Sequence, residues 1–187
     1  MLPTKVSNTL LIIFIHKLAA YIGPAFNNAS LRKIPLPCGH RDIFWKNNCV
    51  AVGLSAGFLE PLEASALVLV ELSASMIAEQ LPACRAVMDI TAKRFNETFR
   101  YRWDRIIDFL KLHYALTERN DSDYWRDMSA PEALPEHLRE LLLLWRNRPP
   151  HRSDFIQVEE IFPSASYQYV LYGMGFSMDA SRLPRTS

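Results

Sequence analysis

The clearest hydrophobic pattern lies in the second half of the chain. Phe95, Phe99, Trp103, Ile106, Ile107, Leu110 and Tyr114 recur at spacings of three and four. That spacing predicts one long helix with a wide apolar stripe. A second helix is predicted from Leu62 to Gln80, with Pro61 in its first turn and Pro82 as its stop. Leu67, Val68, Leu69, Val70 and Leu72 make it apolar nearly all round, the pattern of a buried helix. Just before it, residues 48–54 read as a short buried strand, followed by the small-residue turn Gly53-Leu54-Ser55-Ala56-Gly57. Asn120-Asp121-Ser122-Asp123 marks a turn and a helix start, and a further helix covers Glu136 to Arg146 before Pro149-Pro150. The stretch 167–175 fits a strand or a final helical turn equally well. Residues 16–44 are interrupted by Pro24, Pro35 and Pro37. Leu10 to Ile15 is a continuous apolar run broken by His16-Lys17. It reads as a buried strand or the cut end of an internal segment. A membrane span needs about twenty apolar residues, and with Lys5 upstream the run only faintly mimics a signal peptide.

Composition narrows the classes. The chain has 187 residues, 49% hydrophobic and 22% charged, an ordinary mix for one folded region and unlike a disordered chain. Lysine plus arginine number 21 against 20 acids. A nucleic-acid module carries a basic excess or stripe, and none is present. Arg94, Arg100, Arg102, Arg105 and Lys111 are interleaved with Asp89, Glu97, Asp104 and Asp108, the pattern of a solvated mixed face. Cys38, Cys49 and Cys84 form no C-x-x-C pair, so a reduced, cytoplasmic protein without disulfide or zinc is expected. The only G-x-G pair is Gly173-Met174-Gly175, with Met178 where a third glycine would be needed. No dinucleotide or phosphate loop is therefore encoded.

The stretch that can carry chemistry runs from Gly53 to Leu67. A strand, a small-residue turn and a helix start follow one another. The first amides of a helix have no intrahelical partner, and the helix dipole favours negative charge there. Such an end suits a phosphate, a flavin edge or a halide. Ala64, Ser65 and Ala66 are small enough to let a ligand approach. Glu60 and Glu63 lie three apart and on a helix would project to the same side. Two readings stay open from the residues: a working carboxylate in an apolar turn, or two acids that only complement the helix dipole.

The residues from Trp45 to Glu63, W-K-N-N-C-V-A-V-G-L-S-A-G-F-L-E-P-L-E, resemble the flavin-dependent tryptophan halogenases, whose signature is a W-x-x-N-C-V-A-I-G-L-like strand followed by G-F-L-E-P-L-E-S-T. Arg94-Phe95-Asn96, the run from Asp108 to Tyr114, Asp121 to Arg126, and Glu160-Ile161-Phe162 with Ser166-Tyr167 and Gly173-Met174-Gly175 are similar to later landmarks in the family's order. The likeness covers His16 to Leu183. It implies an α+β, mainly helical fold: the C-terminal part of an FAD-dependent, monooxygenase-like enzyme lacking the dinucleotide-binding half. The chain then forms one region, 1–187, with 1–15 unplaced. Residues 48–80 would be a strand-turn-helix active-site segment and 84–187 a mostly helical substrate side.

In such enzymes reduced FAD and oxygen convert chloride or bromide to a hypohalous acid, which halogenates an indole or other aromatic ring. The resemblance places the catalytic glutamate at Glu63, with a second role beside the substrate. It puts the chloride-binding amides at Ser65 and Ala66 and flavin contacts at Leu54 and Leu67. His113, Phe162 and Tyr167 are implied to line the substrate pocket, although His113 as a bare feature reads more readily as a satisfied core histidine. Ala64 stands where the family has serine, and Ala66 where glycine is frequent. Neither Phe162 nor Tyr167 is the tryptophan expected in the closing segment, so the resemblance does not single out free tryptophan as substrate. The implied partners are an aromatic small molecule, a flavin reductase, and the missing N-terminal half or another copy, without nucleic acid or membrane. A truncated or split product inactive alone is the expectation. The alternative is a non-catalytic helical module binding an aromatic ligand or a partner chain.

Overall fold

The structure, a computed structural model, describes residues 8–179 except 33, 35–37 and 158–159, with backbone alone over 8–14. The expectations attached to Lys5, Pro35, Pro37 and Leu183 lie outside the described residues. The described residues are mainly helical. The helices are α1 (Asn8–Ile22), α2 (Ser65–Glu79), α3 (Arg85–Ala115), α4 (Asp123–Ser129), α5 (Glu136–Trp145) and α6 (Ser164–Gly173). The strands are short: β1 (Gly39–His40), β2 (Trp45–Lys46), β3 (Cys49–Val50) and β4 (Gly57–Phe58). They pair antiparallel as β1 with β4 and β2 with β3.

The long helix read from the apolar stripe is α3, whose 31 residues extend about 46 Å. It is the axis of the fold. From Phe95 to Leu110, the residues Phe95, Phe99, Trp103, Ile106 and Leu110 pack against Phe44, Trp45, Leu59 and Leu69. Near its C-terminal end, Phe109 and Leu112 pack against Leu138, Leu141 and Trp145 of α5 and Tyr167 and Leu171 of α6. Asn96 ties the β2–β3 hairpin to this axis. Its Oδ1 accepts from the backbone N–H of Phe44 and of Trp45, each at 2.8 Å, and its Nδ2 donates to Trp45 O at 2.9 Å.

Several expectations are corrected. The apolar run Leu10–Ile15 lies in helix α1 and not in a strand; a six-residue run carries no period that separates the two. The strand over 48–54 shrinks to Cys49–Val50, because Gly53 turns the chain at φ 62° and Ser55 Oγ takes up the Val52 N–H. The helix expected from Leu62 begins at Ser65, after a single 3-10 turn over Leu62–Ala64. Nor is it buried all round. Ser65, Leu69 and Ser73 face inward, whereas Leu67 is 74% exposed and Val68 and Val70 are exposed too, because among the described residues only one side of α2 is covered. The stretch 167–175 falls mostly in helix α6.

The mixed charged face of α3 also divides. Arg94 and Arg100 are exposed, but Arg105 Nη2 pairs at 2.9 Å with the buried Asp108 Oδ2, which also meets His137 Nδ1 at 2.9 Å. Lys111 is 1% exposed. Near its C-terminal end the helix is enclosed by α4, α5 and α6, so charges that look solvated in sequence are interior.

Candidate active site

The segment from β4 to α2 carries the candidate residues on a turn of unusual backbone. β4 pairs with β1 in the register Gly39 with Phe58 and His40 with Gly57. Leu59 then anchors in the core, 5% exposed. Glu63 (φ 63°) and Ala64 (φ 52°) both adopt the left-handed conformation before α2 starts. For residues with a Cβ that conformation costs about 1 kcal/mol each, and such strain collects at functional sites.

This kink separates the two glutamates. They do not share a helix face, as their spacing suggested. Glu60 points inward, where its Oε2 accepts from the Tyr114 hydroxyl at 2.6 Å. Glu63 is exposed at the rim, with Oε1 3.9 Å from His113 Nε2. The His113 Nδ1 lies 2.9 Å from the Phe109 carbonyl, which can only accept, so that nitrogen carries the proton and Nε2 is the one turned toward Glu63.

His113 leads into an aromatic wall. Its ring meets Phe109 edge-on at 5.1 Å, and Phe109 stacks on Phe162 with centroids 3.9 Å apart. Tyr167 touches Phe109 edge-on at 5.0 Å from beneath and is 1% exposed. It props the wall and does not face solvent, and burial, with Asp108 second, holds its phenol neutral well above the usual range. Glu63, His113, Phe162 and Tyr167 are thus linked through Phe109, a residue the sequence reading passed over although it sits in the D-F-L-K-L-H-Y run.

On the other side of the turn lies an apolar groove of about 260 Å³ bordered by Leu54, Pro61, Ser65, Ala66, Leu67 and Trp103. The α2 N-terminus opens along it with no side-chain cap. Small residues and uncapped amides beside an apolar surface fit a halide and the edge of a flavin ring. Leu54, 80% exposed, and Leu67 offer that surface without covering it themselves. The described residues contain no loop to clamp the rest of a dinucleotide. No helix among them is long and apolar enough to cross a membrane.

Comparison with known proteins gives the family and the fold. The tryptophan halogenase family model matches residues 15–185. A tryptophan 6-halogenase of Streptomyces toxytricini is 31% identical over 158 residues, covering 84% of this chain and 30% of that protein. The crystal structure of a tryptophan halogenase from Shewanella frigidimarina superposes with a TM-score of 0.84 and 44% identity, over 94% of this chain and 34% of the other. A flavin-dependent tryptophan C-6 halogenase from taromycin biosynthesis gives 0.77 and 30%, over 90% and 33%. The chain therefore spans about a third of the length of these relatives. With the family model matched over 15–185, and the fold shared with solved members, the chain belongs to the tryptophan halogenase family.

Proposed function

We propose that this chain carries the halide- and substrate-handling part of a flavin-dependent halogenase acting on an indole or a related aromatic ring. One observation carries the reading: a single strained turn sets Glu63 between an aromatic wall on one side and the uncapped start of α2, opening on an apolar groove, on the other. Reduced FAD with oxygen would supply the oxidising equivalent that makes a halide electrophilic. Leu54 and Leu67 would meet the flavin, and the amides of Ser65 and Ala66 would hold chloride or bromide. Glu63 would orient the electrophile and offset the positive charge that grows on the ring under attack, a task for a fixed carboxylate. His113 would hold that carboxylate toward Phe162, whose half-buried ring, backed by the buried Phe109, would receive the substrate ring.

The partners in this reading are an aromatic small molecule, a flavin reductase, and a dinucleotide-binding half to clamp the cofactor. A second reading, a non-catalytic module that docks a partner chain, draws on the exposure of Leu54, Leu67, Val68 and Val70. Complementation separates the two. The chain is mixed with the remaining two-thirds of the Shewanella frigidimarina protein, FAD, a reductase, bromide and indole, and products are read by mass spectrometry. Monobromoindole from the mixture and none from either chain alone is expected. A stable FAD-loaded complex that makes none would favour the docking module.

A further inference from the structure

Two opposite charges are buried beneath the Glu63 turn, and the proposed chemistry uses neither. Lys111 is almost fully enclosed, and among the described residues its ammonium bonds the soft sulfur of Met128, at 3.7 Å. Burial holds it below the usual lysine range, while the charge of Glu60 pulls it back up. One oxygen of Glu60 is taken by Tyr114; the other, Oε1, is buried with no hydrogen-bond partner among the described residues. Burial, with Glu60 next, lifts the Tyr114 phenol far above its ordinary range, so its proton stays on the bond to the carboxylate.

Burying opposite charges near one another, here without a direct contact, is an inefficient way to stabilise a core, since apolar residues of the same size do as well or better. Their place in the fold offers a more specific role. One turn of α3 acts on both glutamates: His113 faces Glu63, Tyr114 donates to Glu60, and the charge of Lys111 is felt by Glu60. Glu60 is the last inward-pointing polar anchor before two residues in the left-handed region. Neither Glu63 nor Ala64 favours that conformation by itself, so the surroundings must impose it.

We propose that Glu60, Lys111 and Tyr114 form a buried strut that fixes the turn on α3 and so imposes the left-handed backbone of Glu63. They are positioning residues, and the inference rests on reading Glu63 as the working carboxylate. The charge of Lys111 acts on Glu60 from beneath, Tyr114 fixes the direction of its carboxylate, and the carboxylate sets the register between turn and helix. Glu63 is then delivered to His113 with its side chain at the rim.

The test is made on the full chain by NMR, with neither flavin nor halide. One-bond Cα–Hα couplings and Cα shifts of Glu63 and Ala64 report the sign of φ. Asn47, at φ 56° in the β2–β3 hairpin, is the internal control. In Lys111→Met and Glu60→Gln the positive-φ signature at Glu63 and Ala64 is lost while that at Asn47 persists. Tyr114→Phe, which removes one oxygen and keeps the ring, shows a partial loss. The double variant Glu60→Gln/Lys111→Met regains the signature, because the amide oxygen at position 60 still accepts from Tyr114 and no lone charge is left buried. Parent-like couplings at Glu63 and Ala64 in all three single variants would overturn the strut. So would signatures lost at Asn47 and the turn alike, or a double variant no better than the singles. Since the readout needs no chemistry, a failed strut leaves the halogenase reading standing, and failed complementation leaves the strut standing.

Discussion

Gly57 is where the smallest change to the chain should disturb the site most. A methyl group built there would meet Gly39 O at 2.6 Å, His40 Cα at 2.7 Å and His40 Cβ at 2.8 Å. The first two are backbone atoms, which no side-chain rotation can move aside. Gly57→Ala must therefore open the β1–β4 pair. His40 would shift with it, disturbing its ring stacked 5.3 Å from Trp103 and 5.8 Å from Phe44. Overpacking of this kind costs about 2 to 3 kcal/mol, the upper part of the usual range, because backbone has to yield. For a chain of this length that lowers Tm by roughly 4 to 12 °C. The assay is thermal unfolding followed by near-ultraviolet circular dichroism, with Gly173→Ala as the control, since nothing lies within 4 Å of a Cβ there. The same substitution should impair halogenation in the complemented enzyme, because β4 leads directly into the turn of Glu63. A Gly57→Ala chain that melts with the parent would refute the reasoning.

Acid should unfold the protein partly through Asp154. Burial pushes its carboxyl up, but Arg148, Trp145 Nε1 at 2.9 Å and the His151 N–H at 2.9 Å outweigh it and bring it from 3.8 to about 2. A folded value below the unfolded one means stability that is present above about pH 4 and is lost as the pH falls toward 2, worth about 2 kcal/mol. Urea midpoints measured across that window should fall steeply for the parent and less for Asp154→Asn; equal slopes would contradict the assignment. Asn96→Ala removes all three bonds to the hairpin and should cost about 2 to 4 kcal/mol in denaturant unfolding. A loss under about 0.5 kcal/mol, the scale of an ordinary surface change, would show that the hairpin does not depend on it. The exposed groove edge should bind a hydrophobic dye, and Leu54→Ser with Leu67→Ser should reduce the fluorescence without lowering Tm. Unchanged dye binding would place the apolar surface elsewhere.

Long-period information was legible in the sequence. The α3 stripe announced the axis of the fold because burial on one face repeats every third or fourth residue over many turns. The contiguous motif from Trp45 to Glu63 announced the family. What stayed hidden depends on tertiary partners or on single backbone angles. The inward turn of Glu60 was hidden because two left-handed residues, neither a glycine, break the helix that its spacing to Glu63 implied. Lys111 and Asp108 looked solvated because charge in sequence says nothing of the helices later packed over it. The β strands were overestimated, since an apolar run of six or seven residues carries too little period to fix its own length. Asn96 read only as part of the Arg94-Phe95-Asn96 landmark, and its work as a latch appears only once the hairpin lies beside α3.

The account centres on the carboxylate of Glu63, and Glu63→Gln tests it most directly. The substitution keeps size and removes charge. In the complemented enzyme, with FAD, a reductase, oxygen, bromide and indole, the rate of bromoindole formation should fall on the order of 10²-fold. FAD content and association of the two chains should be unchanged, since Glu63 is exposed and supports no core contact. A Glu63→Gln enzyme that halogenates as fast as the parent would contradict the account.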